Sequence, residues 1–209
     1  MTILAFEFSS PRRSVALARD GMVLAEAAAQ SGKRGTDAFR LIEQVLHEGR
    51  VAREEITVIA VGLGPGSYAG IRAAIAVAQG WQLARGTKLL GVSSMESLAA
   101  QARAEQIFGR VNLAIDAQRG EYYLAEWEIS TVGCVETSPL KIVPAAEIMA
   151  RKDADENCLG PEMERRLYPS AAAVAVLAAG RTDFLPGERL EPVYLRETSF
   201  VKAVAGRLG

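Results

Sequence analysis

Residues 56–63 read Ile-Thr-Val-Ile-Ala-Val-Gly-Leu and run straight into Gly64-Pro65-Gly66-Ser67-Tyr68-Ala69-Gly70, after which Ile71 to Arg85 keeps a helical pattern. A strand apolar on both faces has to lie inside a sheet that is covered on both sides, which points to an α/β layer structure. The glycines would let the chain turn sharply from strand into helix. Backbone N–H groups in such a loop can also form a concave nest, and a helix N-terminus adds partial positive charge, so the same loop suits a phosphate. No Gly-Lys-Ser/Thr follows, so it is not a Walker loop. Turn and phosphate cradle both stay open at this point, and the turn is the simpler of the two.

The elements around this unit fit it. Residues 2–9 are mostly apolar and suit a buried first strand rather than a signal peptide, since no basic stretch precedes them and Glu7 interrupts them early. Val15 to Ala18 and Met22 to Ala25 flank Asp20-Gly21, a dipeptide suited to a tight hairpin. Gly32 to Thr36 is a polar loop, and a helix is expected over 37–48. Its residues Ala38, Phe39, Leu41, Ile42, Val45 and Leu46 share an apolar face opposite Arg40, Glu43, Gln44, His47 and Glu48. Leu89 to Val92 is a short strand, and Ser93 with Glu96 has the capping-box spacing that starts a helix to about residue 105. Three strands, then alternating helices and strands, suit a mixed sheet with an antiparallel hairpin edge. A lobe over 1–108 is expected, followed by a smaller, less regular one over 109–209. The second lobe shows a strand pair at 111–117 and 121–129, helices near 144–151 and 170–181, and an extended tail over 186–196.

Bulk properties narrow the function classes. The chain has 209 residues, 49% hydrophobic and 23% charged, with a formal net charge of -1. A protein that grips nucleic acid by itself is normally strongly basic, so any RNA contact here would be local or shared with a more basic partner. Cys134 and Cys158 form no CxxC pair, and the alanine-rich run 171–179 is too short to span a bilayer. A cytoplasmic protein with no membrane association is the expectation. His47 is the single histidine, so zinc sites and a Ser-His-Asp triad lack ligands, and no metal is expected.

Two features could carry function. Glu7, Ser9 and Ser10, with Arg12 and Arg13 beyond them, could hold a metal–phosphate group or merely form a polar hairpin tip. The helix over 71–85 is apolar nearly all round, so it is buried on more than one side, by its own neighbours or by a partner protein. Along it, Ala73, Ala76, Gly80 and Ala84 recur at three- and four-residue spacing, a stripe of small residues that another helix could approach closely.

Together these segments resemble the TsaB family, the non-catalytic partners in the bacterial apparatus that makes N6-threonylcarbamoyl-adenosine in tRNA. The resemblance is carried by Glu7-Phe8-Ser9-Ser10, Ser14-Val15-Ala16-Leu17 and, above all, Gly64-Pro65-Gly66-Ser67-Tyr68-Ala69-Gly70-Ile71-Arg72, close to the family's GPGSFTGLR. Ala78-Gln79-Gly80, Gly91 to Ala99, Asp116-Ala117-Gln118-Arg119-Gly120-Glu121 and Pro192-Val193-Tyr194-Leu195-Arg196 add to it. It implies an actin/Hsp70/sugar-kinase-like two-lobed α/β fold, a duplicated ribonuclease-H-like mixed sheet with helices on both faces. It also implies a subunit that dimerises through its first two helices with a TsaD-like catalytic subunit, joined by a TsaE-like ATPase, while TsaC supplies the activated group. A homodimer is a further option, and tRNA would be met only through the complex. The partner surface would then comprise Phe39, Ile42, Leu46, Ala73, Ala76, Val77, Gly80 and Ala84. Nucleotide or phosphate contacts, with ATP or ADP bound only within the complex, would fall to Glu7, Ser9, Ser10, Gly64, Gly66 and Ser67. An ATP-binding phosphotransferase or ATPase of the same fold is the alternative; a metallopeptidase lacks the histidines. Two positions depart from the family pattern: Glu7 stands for its usual Asp, and Thr36-Asp37 for its frequent His-Ser.

Overall fold

A computed structural model describes residues 1–30, 38–154 and 156–195. Its first sheet contains β1 (Thr2–Glu7), β2 (Arg12–Arg19), β3 (Met22–Gln30), β4 (Val58–Gly62) and β5 (Lys88–Val92), in the order β3-β2-β1-β4-β5. β1, β2 and β3 are antiparallel neighbours, while β4 and β5 add in parallel. Every residue of β1 and β4 is buried, as a strand with no polar face requires. Asp20 and Gly21 adopt φ of 50° and 82°, the paired positive angles of a hairpin turn whose twist matches its strands.

The second sheet contains β6 (Gly109–Gln118), β7 (Glu121–Ile129), β8 (Cys134–Pro144), β9 (Cys158–Gly160) and β10 (Arg165–Arg166), in the order β8-β7-β6-β9-β10. β6, β7 and β8 are antiparallel and β9 and β10 add in parallel. Strand for strand this repeats the first sheet, with β6 in the place of β1. The duplicated mixed sheet is the two-lobed actin/Hsp70/sugar-kinase-like plan. β8 had no counterpart among the sequence expectations. Its Pro139 and charged residues argue against a central strand, but an edge position tolerates both, and its register against β7 shifts twice.

The helices tie the lobes together. α1 (Ala38–Gly49) and α2 (Tyr68–Arg85) cover one face of the first sheet. α3 (Ser94–Ala104) follows β5 in sequence, yet its Met95, Leu98, Ala99 and Ala102 pack on the second sheet. α4 (Ala145–Asp153) lies on that sheet's other face through Ile148. α5 (Ala171–Ala178) returns to the free face of the first sheet, where Val174 and Ala178 join Ile3, Ala5, Val58 and Leu90. The sheets therefore fall on either side of residue 109, and the helices do not keep to that division. Polar locks hold the exchange. The Ser97 hydroxyl donates to the Ser170 carbonyl and accepts the Ser170 N–H, both at 3.0 Å. The α5 N-terminus is completed from elsewhere, Ala171 N–H donating to Ser14 Oγ at 2.8 Å and Ala172 N–H to Glu26 Oε1 at 3.1 Å. Orphan N–H groups at a helix start need such acceptors when buried. Among the described residues no helix is long and apolar enough to cross a membrane.

Candidate functional site

Glu7 ends β1 and is wholly buried. Its Oε1 accepts the Ser9 N–H at 2.8 Å and its Oε2 accepts the Ser94 hydroxyl at 2.8 Å. Ser94 in turn accepts the Gly64 N–H at 3.0 Å and donates its own N–H to the Gly64 carbonyl at 2.8 Å. The carboxyl is thus the hub that joins the end of β1, the glycine loop and the start of α3. A Cβ on Gly62 would lie 2.1 Å from Glu7 Oε2, so this glycine makes the room that the longer acid needs. Burial pushes the Glu7 carboxyl above its ordinary value of 4.5, and the hydrogen bonds from Ser9 and Ser94 oppose that only in part. The folded chain therefore holds this proton more tightly than the unfolded chain does. Stability from this group is full below about pH 4.5, falls as pH rises towards the raised folded value, and stays lowered above it. Glu7→Gln keeps the shape and removes that loss. Melting across about pH 4 to 8 should show the variant gaining on the wild type as pH rises; parallel curves would mean that Glu7 titrates normally.

The loop over 64–70 is spent on close packing. The Gly64–Pro65 peptide is cis and Gly66 adopts φ of 144°. A Cβ on Gly66 would lie 2.3 Å from the Ser9 carbonyl oxygen, and one on Gly70 would lie 2.0 Å from the Phe8 carbonyl oxygen. Ser67 N–H donates to the Ser9 carbonyl at 2.6 Å, and Ser67 Oγ caps α2 by accepting the Gly70 N–H at 3.3 Å. Ser10 Oγ donates to the Arg12 carbonyl at 2.9 Å. Glu7, the Ser9 backbone, Gly64, Gly66 and Ser67 are therefore brought together, whereas Ser10 turns to Arg12 and the buried Ser9 hydroxyl has no hydrogen-bond partner. The loop is pressed backbone to backbone on residues 8–9 where a phosphate nest would need a gap, so the turn accounts for its glycines.

The expected partner surface has a different character. α1 and α2 lean apart into an apolar groove of about 500 Å³ lined by Phe39, Ile42, Ala76, Val77, Gly80, Trp81 and Ala84. Its rim carries two ion pairs, Arg53–Glu43 and Arg85–Glu54, the latter at 2.6 Å. The inner face of α2 is Ile71, Ala74, Ile75 and Ala78, whereas Ala73, Ala76, Gly80 and Ala84 are exposed. The two-sided burial expected of α2 is thus met on one side only within this chain. A Cβ on Gly80 would meet nothing within 4 Å. Phe39 departs from the expected buried face of α1, standing 70% exposed beside the groove, while Leu46 is buried away from it. Trp81 and the ion-paired rim escaped the sequence reading, because a lone tryptophan on an alanine-rich helix gives no sign of which way it turns.

The remaining candidates are a surface histidine and an aspartate that holds a turn. His47 is exposed on α1, and among the described residues no three His, Cys, Asp or Glu side chains gather as metal ligands. Asp116 accepts Gln118 N–H at 2.8 Å and Gln118 Nε2–H at 2.7 Å, which holds a turn where Gln118 and Arg119 both have positive φ. Thr36 and Asp37 lie outside the described residues.

The model of one protein family, described as TsaD: tRNA N6-adenosine threonylcarbamoyltransferase, matches residues 19–149. The tRNA threonylcarbamoyladenosine biosynthesis protein TsaB of Escherichia coli K12 is 28% identical over 99% of this chain and 100% of its own length. The protein of that name from Bacillus subtilis 168 is 30% identical over 71% of this chain and 62% of its own. Among solved structures, YeaZ from Pseudomonas aeruginosa superposes with a TM-score of 0.78 at 28% identity, covering 93% of this chain and 99% of that one.

Proposed function

The chain belongs to the TsaB family, within the group whose domain model is described as TsaD, and from that premise we propose that it is a non-catalytic subunit of the tRNA threonylcarbamoyl-adenosine complex. It binds a TsaD-like catalytic subunit through the groove between α1 and α2. The observation that carries this is Gly80. A glycine inside a helix costs roughly 1 kcal/mol against alanine, and here no neighbour among the described residues uses the missing side chain. With Ala73, Ala76 and Ala84 it leaves an exposed small-residue track beside an apolar groove, a surface that fits a helix pair of another protein. Exposed apolar seams of this kind mark association sites.

The inward-turned Glu7 hub supports a role without turnover. Phosphoryl transfer needs phosphate cradling, a metal held by carboxylates and a base, and the Glu7 carboxylate is taken up by Ser9 N–H and the Ser94 hydroxyl. ATP or ADP would then belong to the assembled complex, where a TsaE-like ATPase contributes its own loops, and tRNA would be met there too, in the cytoplasm. Co-expression of the tagged chain with the TsaD-like protein of the same organism should give a stable complex on gel filtration. The chain alone should turn over no ATP. Steady hydrolysis by the isolated chain that vanishes in Glu7→Ala would instead favour a phosphotransferase or ATPase. A self-association that the TsaD-like protein cannot displace would give the groove to a second copy.

A further inference from the structure

The small-residue track on α2 starts where the described chain stops. After α5 the chain runs back along α2. The Gly187 carbonyl accepts from Gln79 Nε2 at 2.8 Å, and the Gly187 N–H donates to Gln82 Oε1 at 3.0 Å. Val193 N–H donates to the Leu63 carbonyl at 2.8 Å, and the Tyr194 ring lies 5.3 Å from that of Tyr68, the first residue of α2. Leu195, the last described residue, is therefore held at the N-terminal end of α2. Ala69 stands about a quarter turn round the helix from Tyr68 and is exposed, as are Ala73, Ala76, Gly80 and Ala84 beyond it. Leu83, 89% exposed, borders this track on α2, and Phe39, 70% exposed, stands across the groove.

Residues 196–209 lie outside the described residues. In their sequence Phe200, Val201, Val204 and Leu208 recur at the spacing of one helix face, with Lys202 and Arg207 off it. Ser199 precedes the first of them, where a helix N-cap belongs.

We propose that in the free chain residues 199–209 lie over the small-residue track and the α1–α2 groove, apolar stripe inward, and that the TsaD-like partner displaces them in order to bind. Reach and pitch agree. Residues 196–199 extended cover about 13 Å, and Ala76 stands about 12 Å along α2 from Tyr68. From there a stripe at helical pitch runs about 15 Å beside α2, past Gly80 and Ala84, with Val204 level with Gly80. The large side chains of the stripe then meet the small ones of the track. A tail tethered at the head of the track meets it at an effective concentration of about millimolar, which favours it over a second copy of the chain. It also covers an apolar seam that would otherwise face water. This contact regulates the site of the subunit role proposed above and rests on that role for its consequence.

The test uses the full chain carrying Phe200→Asp with Val204→Asp. Trp81 lines the groove, whereas Trp127 is only 7% exposed, so acrylamide quenching reports on the groove. Quenching of the free variant should exceed that of the wild type. The variant should also bind the TsaD-like protein about threefold more tightly, as expected for a groove covered about two thirds of the time. In a second chain, Gly80→Cys with Val204→Cys should crosslink within one molecule under mild oxidation, giving a monomer joined between those two positions. Unchanged quenching, or no crosslink, overturns this inference and leaves the subunit role standing. A crosslink that joins two molecules gives the groove to a second copy and overturns it too. Increased quenching with unchanged affinity for the partner overturns the competition between tail and partner. If quenching and crosslink come out as expected but neither wild type nor variant assembles, the subunit role falls and the tail contact stands.

Discussion

Gly80→Arg should destroy assembly with the TsaD-like protein while leaving the isolated chain as stable as before, or more so. Among the described residues nothing lies within 4 Å of the position where its Cβ would stand, so the first atom of the new side chain meets no obstacle in the free protein. Arginine is a better helix former than glycine by roughly 0.5–1 kcal/mol. For a chain of this size that corresponds to a melting temperature unchanged or raised by about 2–4 °C. In the complex the same side chain would enter the seam between Ala76, Trp81 and Ala84 and carry an unpaired charge into it. An unpaired buried charge costs about 3–5 kcal/mol, so affinity should fall a hundredfold or more. Calorimetry against the partner and thermal melting of the free chain read the two effects separately. A variant that melts much earlier would show that the stripe is internal packing after all. A variant that binds normally would remove this helix face from the interface.

Gly66→Ala should do the opposite, costing stability in the free chain. Gly66 holds φ of 144°, and an added Cβ would lie 2.3 Å from the Ser9 carbonyl oxygen. The obstacle is backbone and cannot swing aside. Backbone strain of about 1–3 kcal/mol adds to overpacking of about 1–3 kcal/mol, so a loss near 4 kcal/mol is expected. That lowers the melting point by roughly 8–16 °C. Gly80→Ala is the matched control, because the same methyl group there should stabilise by about 0.4–1 kcal/mol. Equal effects at the two glycines would mean that the 64–70 loop has slack, and a phosphate nest would return as an explanation for it.

Much of the architecture can be read from local patterns. The all-apolar run 56–63 demands a covered central strand, and β4 is buried at each position. Asp20-Gly21 makes the tight turn, and the Ser93/Glu96 spacing produces the cap that starts α3, with Ser93 N–H donating to Glu96 Oε2 at 3.2 Å. These signals are legible because each depends on residues within a few positions of one another, where turn geometry and side-chain period dominate. β9 and β10 span three and two residues and give no period to detect. β8 is hidden by a proline that its edge position and broken register accommodate.

What the sequence determined by itself is most of the elements, with β8, β9 and β10 excepted, and the presence of a small-residue track on a helix apolar nearly all round. Tertiary structure alone decided how they are used. Alternation cannot say that α3 leaves its own sheet to pack on the second while α5 returns to the first, because an amphipathic helix fits any apolar sheet of suitable shape. Composition cannot say whether Glu7 faces solvent or the interior; the approach of Gly62, Ser9 and Ser94 settles that. The glycines at 66 and 80 look alike as letters. One is pinned against the backbone of another loop and the other stands in open space, and that difference in surroundings separates a residue that holds the fold from one available to a partner.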